Sequence, residues 1–108
     1  MNILFVCSRN EWRSRTAETI FKNHATHQVR SAGTSASARI RITQKLIDWA
    51  DEIYVMERKH KKRIVESFNW DKATTPIEIL HIEDDYQYMD EELVDMLTGV
   101  MSVYWEEQ

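Results

Sequence analysis

Several residue types that mark whole classes of protein are scarce in this 108-residue sequence. It has one cysteine, one proline and two glycines, which excludes a disulfide-stapled scaffold and a collagen-like or low-complexity chain. No apolar run approaches the roughly 20 residues that a membrane-spanning helix needs. The amino-terminal segment also lacks the charged and apolar regions of a signal peptide. We therefore expect a cytoplasmic protein without a membrane anchor, folded as one domain over residues 1–108.

Basic residues are absent from the last third of the chain. After Pro76 there is no Lys or Arg, whereas residues 1–48 hold eight basic and three acidic residues. The formal net charge of −4 argues against a protein that coats nucleic acid irrespective of sequence. The basic amino-terminal half is suited to receive an anionic group, although an uneven but solvated surface would give the same counts.

Apolar periodicity predicts strands and helices that alternate along the chain. Strands are expected at residues 2–6, 29–32, 52–56 and 77–82, and helices at 13–27, 43–49, 58–68 and 91–104, the last after Asp90 as N-cap. This alternation favours a parallel sheet with helices on both faces. In such sheets ligands bind beyond the carboxyl ends of the strands, so chemistry is expected in the turns after Val6, Met56 and Ile82.

The first of these turns carries the pattern Cys-x5-Arg-Ser, formed by Cys7, Arg13 and Ser14. A loop of this length that closes on a helix N-terminus turns backbone N–H groups inward as an anion nest. Arg13 adds a guanidinium that binds two phosphoryl oxygens. The same positive field favours the nucleophilic thiolate of Cys7, and Ser14 is placed to donate a hydrogen bond to it. A buried structural thiol is the weaker alternative at this spacing.

The same residues resemble the low-molecular-weight protein tyrosine phosphatases. The resemblance covers nearly the whole chain, through Val6, Cys7, Asn10, Arg13-Ser14, Ala17-Glu18, Ser31-Ala32-Gly33-Thr34, residues 50–56 and residues 82–86. It implies a single three-layer α/β domain over residues 1–108, with a four-stranded parallel sheet in the order 2-1-3-4 flanked by helices.

This resemblance implies a cysteine-dependent phosphatase that hydrolyses phosphate monoesters, either protein phosphotyrosine or small aryl phosphates, through a phosphocysteine intermediate. Cys7 attacks phosphorus, Arg13 holds the phosphoryl oxygens, and Asp84 protonates the leaving oxygen before it activates water; no metal or other cofactor is needed. Asn10 braces the loop. The implied phosphate-binding residues are Ser8, Arg9, Asn10, Glu11, Trp12, Arg13 and Ser14. Trp12, Asp85 and Tyr86 are expected to frame the substrate, and Asp85 is the alternative general acid.

Departures from the family pattern leave other functions open. The link after Gly33 is short, so one wall of the substrate cleft is expected to be missing, and Arg9 stands where the family usually has glycine. Arg9, Arg13 and Arg15 around Trp12, with Arg39 and Arg41 expected nearby, would suit a nucleotide or an RNA end, including a 2′,3′-cyclic phosphate, unless Trp12 packs under the loop. A further alternative is a catalytically degenerate module that only binds phosphorylated partners. The lone Cys7 argues against a thiol-relay arsenate reductase.

Overall fold

The computed structural model describes residues 1–105 of the chain. Strands and helices alternate four times, which confirms the predicted α/β class. In chain order they are β1 (Asn2–Cys7), α1 (Arg13–Phe21), β2 (Gln28–Gly33), α2 (Gln44–Trp49), β3 (Glu52–Val55), α3 (Arg58–Ser67), β4 (Ile77–Ile79) and α4 (Glu91–Tyr104).

The four strands form one parallel sheet in the order β2-β1-β3-β4, which confirms the order implied by the family resemblance. β1 pairs with β2 along its whole length and with β3 on its other side. Because all strands run the same way, the turns that follow β1, β3 and β4 reach the same edge of the sheet. This carboxyl edge is where the candidate functional residues lie.

Alternate residues of β1 point to opposite faces of the sheet. Ile3 and Phe5 join an apolar cluster with residues of α1 and α4, whereas Leu4 and Val6 join a second cluster with residues of α2 and α3. All four side chains are fully buried. The uninterrupted apolar run of this strand therefore reflects a central position in a three-layer domain, covered by helices on both faces.

The N-cap predicted at Asp90 is confirmed, and α2 begins after an N-cap of the same kind, Thr43. The Thr43 hydroxyl accepts a hydrogen bond from the backbone N–H of Leu46 at 3.2 Å. The Asp90 carboxylate accepts one from the backbone N–H of Glu92 at 2.9 Å. Such N-caps satisfy donors that the first helical turn leaves free. Among the residues described, no helix combines the length and apolarity needed to cross a bilayer.

The predicted end of α1 near His27 is wrong, because the helix stops at Phe21. His24 keeps the helical spacing of the apolar face, but its N–H donates to the Phe21 carbonyl at 3.0 Å in a turn. Its ring packs against Trp105, with the ring centroids 5.1 Å apart. The spacing therefore marked a burial contact with the other end of the chain rather than a further helical turn.

The fourth strand is also shorter than predicted and ends at Ile79 instead of Ile82. His81 has a φ of 58°, which interrupts the extended backbone that a strand requires. The N–H of Ile82 still donates to the Met56 carbonyl at 2.9 Å. The chain thus keeps its place beside β3 while it turns toward the carboxyl edge of the sheet.

Candidate active site

The turns after β1 and β4 enclose a cavity of about 160 Å³ at the carboxyl edge of the sheet. Residues 7–14 are termed the cysteine loop. The residues that line the cavity are Cys7, Ser8, Arg9, Glu11, Trp12, Arg13 and Asp84. The fold therefore gathers the three residues predicted to be catalytic, Cys7, Arg13 and Asp84, around one space.

Two hydrogen-bond donors are directed at the sulfur of Cys7. The Ser14 hydroxyl lies 2.9 Å from Sγ, closer than its 3.3 Å distance to the Ala32 carbonyl oxygen. The backbone N–H of Asn10 donates to Sγ at 3.2 Å. Cys7 itself is 3% exposed. Donors aimed at a nearly buried sulfur suit a thiolate nucleophile better than a structural thiol.

A chain of hydrogen bonds determines where the Ser14 proton can go. The Ser31 hydroxyl donates to the Glu18 carboxylate, which is an acceptor only. Ser31 Oγ must therefore accept the bond from Asn10 Nδ2, at 2.9 Å. The same amide nitrogen donates its other hydrogen to Ser14 Oγ at 2.7 Å. The hydroxyl proton of Ser14 is thus left for the sulfur of Cys7, at 2.9 Å, or for the more distant carbonyl of Ala32, at 3.3 Å.

The carbonyl groups of the cysteine loop are held from outside by the short link, residues 34–43. Four consecutive carbonyls accept hydrogen bonds of 2.8–3.0 Å, from Thr34 N to Cys7, from Ser35 N to Ser8, from Arg39 N to Arg9 and from Arg39 Nε to Asn10. The C=O and N–H of a peptide unit point in opposite directions. Holding the carbonyls on the side of the link therefore turns the following N–H groups toward the cavity, as an anion nest requires.

Asn10 makes the tightest bend in this loop. Its φ is 58°, in the left-handed region that Asn tolerates better than most residues. The bend directs its N–H at the sulfur, and its buried side chain donates to Ser14 and Ser31. The bracing role implied for Asn10 thus has both a backbone and a side-chain basis.

Arg13 connects the turns after β1, β3 and β4. Its side chain is 2% exposed, and Nη1 donates to the Glu57 carboxylate and, at 2.8 Å, to the Ile82 carbonyl. Nε lies 3.6 Å from the Asp84 carboxylate. Within residues 1–105, Nη2 has no hydrogen-bond partner and remains available for a bound oxyanion. The Arg13 guanidinium thus holds the three turns together around the cavity and keeps one N–H donor group for a bound anion.

Glu57 was not among the residues predicted from the sequence. Burial raises the pKa of this carboxyl, but the hydrogen bond and positive charge of Arg13 outweigh burial and hold the pKa below its usual value. Glu57 therefore stays ionised and neutralises the buried guanidinium. Its position two residues after β3, at the carboxyl edge of the sheet, is the signal that would have identified it.

His60 is a second functional residue that the sequence did not reveal. It is 1% exposed, and burial, aided by the charge of Arg13, lowers its pKa to about 4. Its Nδ1 accepts the backbone N–H of Glu57 at 3.0 Å. The neutral ring therefore carries its proton on Nε2 and donates it to the Ser8 hydroxyl, 2.9 Å away. The hydroxyl proton of Ser8, a residue that lines the cavity, is left for a bound ligand.

The other predicted site residues occupy different positions. Trp12 lines the cavity and is 41% exposed, so it forms a wall and is not packed beneath the loop. Asp85 and Tyr86 are not among the lining residues, and the Tyr86 hydroxyl donates to the Glu92 carboxylate at 3.2 Å. Asp85 and Tyr86 therefore make no contact with the cavity that would support the substrate-framing role predicted for them.

Two of the arginines invoked for a nucleotide ligand, Arg15 and Arg39, are engaged elsewhere. The guanidinium of Arg15 lies 4.4 Å from the centroid of the Tyr88 ring, and Arg39 donates to a loop carbonyl. Arg9 and Arg13 line the cavity, but Arg13 is committed to Glu57 and Ile82. The arrangement offers no support for the nucleotide or RNA-end alternative.

The order of the strands, together with the cysteine loop at the carboxyl edge of the sheet, is typical of one class of protein, the cysteine-based phosphatases with a three-layer α/β fold. Within that class, the family model described as low molecular weight phosphotyrosine protein phosphatase matches residues 2–54. This match covers just under half of the chain, and over these residues the chain is similar to that family, as its sequence motifs predict. No curated protein sequence matches the chain significantly.

Solved structures with the same fold match almost from end to end. The tyrosine phosphatase Wzb from Escherichia coli K30, solved with phosphate, is 21% identical with a TM-score of 0.77, over 97% of this chain and 96% of Wzb. A YwlE mutant from Bacillus subtilis is 22% identical with a TM-score of 0.73, over 96% and 98% of the two chains. The low molecular weight protein tyrosine phosphatase from T. tengcongensis is 19% identical with a TM-score of 0.74, over 95% and 99%. At these identities the likeness shows a common fold.

Substitution of Gly33 tests the contact between the link and the cysteine loop. A Cβ at this position would lie 2.5 Å from the Ser8 carbonyl oxygen and 2.7 Å from the Ala38 side chain. We expect Gly33→Ala to lower the free energy of unfolding by about 1–3 kcal/mol and to weaken phosphate binding. Urea unfolding and calorimetric titration with phosphate measure the two effects.

Gly99→Ala is the matched control, since a Cβ there meets nothing within 4 Å. This helical position should gain about 0.5–1 kcal/mol of stability, with phosphate affinity unchanged. Unaltered phosphate affinity in Gly33→Ala would show that the link does not shape the loop.

The buried neutral His60 makes folding stability depend on pH. Its pKa of about 4 in the folded protein lies below the ordinary 6.5, so between these values the unfolded chain binds the extra proton. The contribution of this residue to the free energy of unfolding should be fully present above about pH 6.5. It should be lost as the pH falls to 4, a decrease of about 3 kcal/mol. Urea unfolding from pH 7.5 to 4.5 should show this loss, and His60→Gln should flatten it. A His60 ring signal that titrates between pH 6 and 7 in NMR spectra would contradict the assignment.

Proposed function

We propose that the chain, taken as one domain over residues 1–108, hydrolyses phosphate monoesters with Cys7 as nucleophile, Arg13 as the phosphoryl-oxygen ligand and Asp84 as general acid. The observation that carries the proposal is the approach of Arg13 Nε to the Asp84 carboxylate, 3.6 Å. This contact sets a carboxylate across the cavity that the thiol also lines. A nucleophile, an anion ligand and a proton donor are thereby grouped around one cavity.

In the first step, the thiolate of Cys7 attacks phosphorus. The S–P bond forms, the bond from phosphorus to the leaving oxygen breaks, and Asp84 donates a proton to that oxygen. Nη2 of Arg13 and the inward N–H groups of the cysteine loop hold the equatorial oxygens, where negative charge develops. These donors are fixed before the reaction by Glu57 and by the link, so no reorganisation is needed.

In the second step, water hydrolyses the phosphocysteine. The carboxylate of Asp84 takes a proton from the water, the S–P bond breaks, and inorganic phosphate leaves with the thiolate restored. The hydrogen bonds from Ser14 and Asn10 stabilise the departing sulfur. Asp84 is 57% exposed, which gives water access to the acid at the mouth of the cavity.

The same positions favour Asp84 over its neighbour as the acid. Asp84 lines the cavity and contacts Arg13. Asp85 is exposed and does not contribute to the lining. The choice between them, which the sequence alone left open, therefore rests on which carboxylate reaches the guanidinium.

The substrate class we propose is a phosphorylated protein side chain, with small aryl phosphates as model substrates. Wzb is a tyrosine phosphatase and YwlE an arginine phosphatase, so related folds act on more than one phosphorylated side chain. Trp12 provides an exposed aromatic wall beside the thiol, which suits an aromatic leaving group. Because a thiol nucleophile must stay reduced, we propose a cytoplasmic location.

The nucleophile is tested by Cys7→Ser. Turnover of an aryl phosphate should fall to background, because the thiolate is lost, while phosphate binding persists through Arg13 and the N–H groups. Steady-state hydrolysis and calorimetric phosphate titration measure these two effects. Acid quenching of the wild-type protein during turnover should yield a chain heavier by one phosphoryl group on Cys7. Retained hydrolysis in Cys7→Ser would refute the mechanism.

The acid is tested by comparing adjacent carboxamide variants. Asp84→Asn should slow turnover of an aryl phosphate by about 10²–10⁴-fold, the usual contribution of general acid–base catalysis. Asp85→Asn, the matched control, should change turnover less than about twofold, because surface substitutions outside the site have small effects. A large loss in Asp85→Asn with normal turnover in Asp84→Asn would reverse the assignment.

A further inference from the structure

A second and larger cavity, of about 460 Å³, lies beside the catalytic one and shares Ser8 with it. It is bounded by the start of the link and by one face of α3. This second cavity is termed the basic groove, and the residues that define it here are Ser8, Ser35, Lys59, Lys62, Arg63 and Glu66. None of these except Ser8 was assigned a role in the proposed hydrolysis.

The charges in the groove are predominantly positive and unpaired. Lys59, Lys62 and Arg63 are exposed, and none has an acidic partner within 4.0 Å among residues 1–105. Glu66 is the single acidic residue of its lining. A cluster of three free cations on a chain with a net charge of −4 indicates a surface that receives an anion.

The spacing of these cations along α3 places them on one face of the helix. Lys59, Lys62 and Arg63, and Glu66 stand three, four and seven residues apart, so they share one face of α3. The helix starts next to Glu57, which contacts Arg13. With a rise of about 1.5 Å per residue, Lys62 lies about 7 Å farther along the axis than Glu57. An extended peptide covers that distance in about two residues.

The two cavities adjoin at Ser8, on the side of the short link. The residues lining the catalytic cavity come from the cysteine loop and Asp84, and none comes from residues 34–43. The wall that was expected to be missing is thus absent on the side where Ser35 borders the groove. A bound phosphoryl group and a ligand in the groove would be separated only by Ser8.

We propose that the basic groove binds acidic groups that flank the phosphorylated residue of a protein substrate, so that the enzyme prefers acidic phosphoproteins. This inference rests on the proposed function. Carboxylates two residues from the phosphorylated side chain reach Lys62 and Arg63, and a second phosphate at that position offers the same anionic chemistry. A nucleic acid is disfavoured, because no aromatic side chain lines the groove for base stacking and the chain after Pro76 carries no basic residue.

The experiment compares three phosphotyrosine peptides of otherwise identical sequence. The second residue before the phosphotyrosine and the second residue after it are both Glu, both Gln or both phosphoserine. For wild-type protein at low salt we expect kcat/KM for the Glu peptide to exceed that for the Gln peptide by about threefold to tenfold, mainly through KM. This preference should shrink at high salt, because ions screen exposed charges. A higher kcat/KM for the phosphoserine peptide than for the Glu peptide would identify phosphate as the preferred flanking anion.

Charge-reversal variants locate the effect. Lys62→Glu and Arg63→Glu should each reduce the Glu-over-Gln preference to within about twofold, whereas Glu66→Lys should increase it. Lys72→Glu, the matched control, makes the same charge change before β4, at the opposite end of the sheet, and should keep the preference. Hydrolysis of a small aryl phosphate should be unchanged in all four variants.

Two outcomes would overturn the inference. Equal kcat/KM for the Glu and Gln peptides in the wild-type protein would show that the groove does not contact the substrate. A preference that survives in Lys62→Glu and Arg63→Glu would place the contact elsewhere. Failure to hydrolyse the aryl phosphate would refute the proposed function, and equilibrium binding of the same peptides to Cys7→Ser would then decide the role of the groove independently.

Discussion

The carboxyl edge of this sheet is organised by the need to satisfy one buried charge. A guanidinium removed from water is costly unless a counter-charge and hydrogen-bond acceptors accompany it. Arg13 obtains these from Glu57 after β3 and from the carbonyl of Ile82 after β4. Because the two partners belong to separate turns, neutralising Arg13 draws both turns onto the start of α1. The geometry around Cys7 therefore follows from the electrostatics of folding.

The backbone N–H and C=O groups of the cysteine loop also need hydrogen-bond partners where they are buried. The carbonyls of residues 7–10 are satisfied by the link, which turns the following N–H groups to the inner side, where that of Asn10 already donates to the sulfur of Cys7. Residues 34–39 thus brace the loop even though they contribute no wall to the cavity. This explains how a shortened link preserves the anion cradle while it opens the substrate side.

The sequence predicts those features that depend on local patterns. Periodicity predicts the strands and helices, and the spacing of Cys7 and Arg13 predicts the cysteine loop at the cavity, because one turn contains both residues. The roles of Glu57 and His60 depend on contacts with Arg13 and Ser8 across 44 and 52 residues of sequence. No local pattern encodes such contacts; they emerge only when parallel strands bring distant turns to one edge. The early end of α1 escaped prediction for the same reason.

Positive and negative charges are unevenly distributed around the catalytic cavity and the basic groove. The segment after Pro76 carries Asp84 and has no Lys or Arg, whereas the adjoining groove is lined by the cationic face of α3. A field of this form attracts an anionic substrate to α3 and repels it from the acidic segment. On the proposal that the groove binds flanking anions, an acidic peptide would bind with its charged side toward Lys62. Asp84 lines the catalytic cavity and not the groove, so recognition of the flanking anions and donation of the proton would be carried out by different residues in two adjoining cavities.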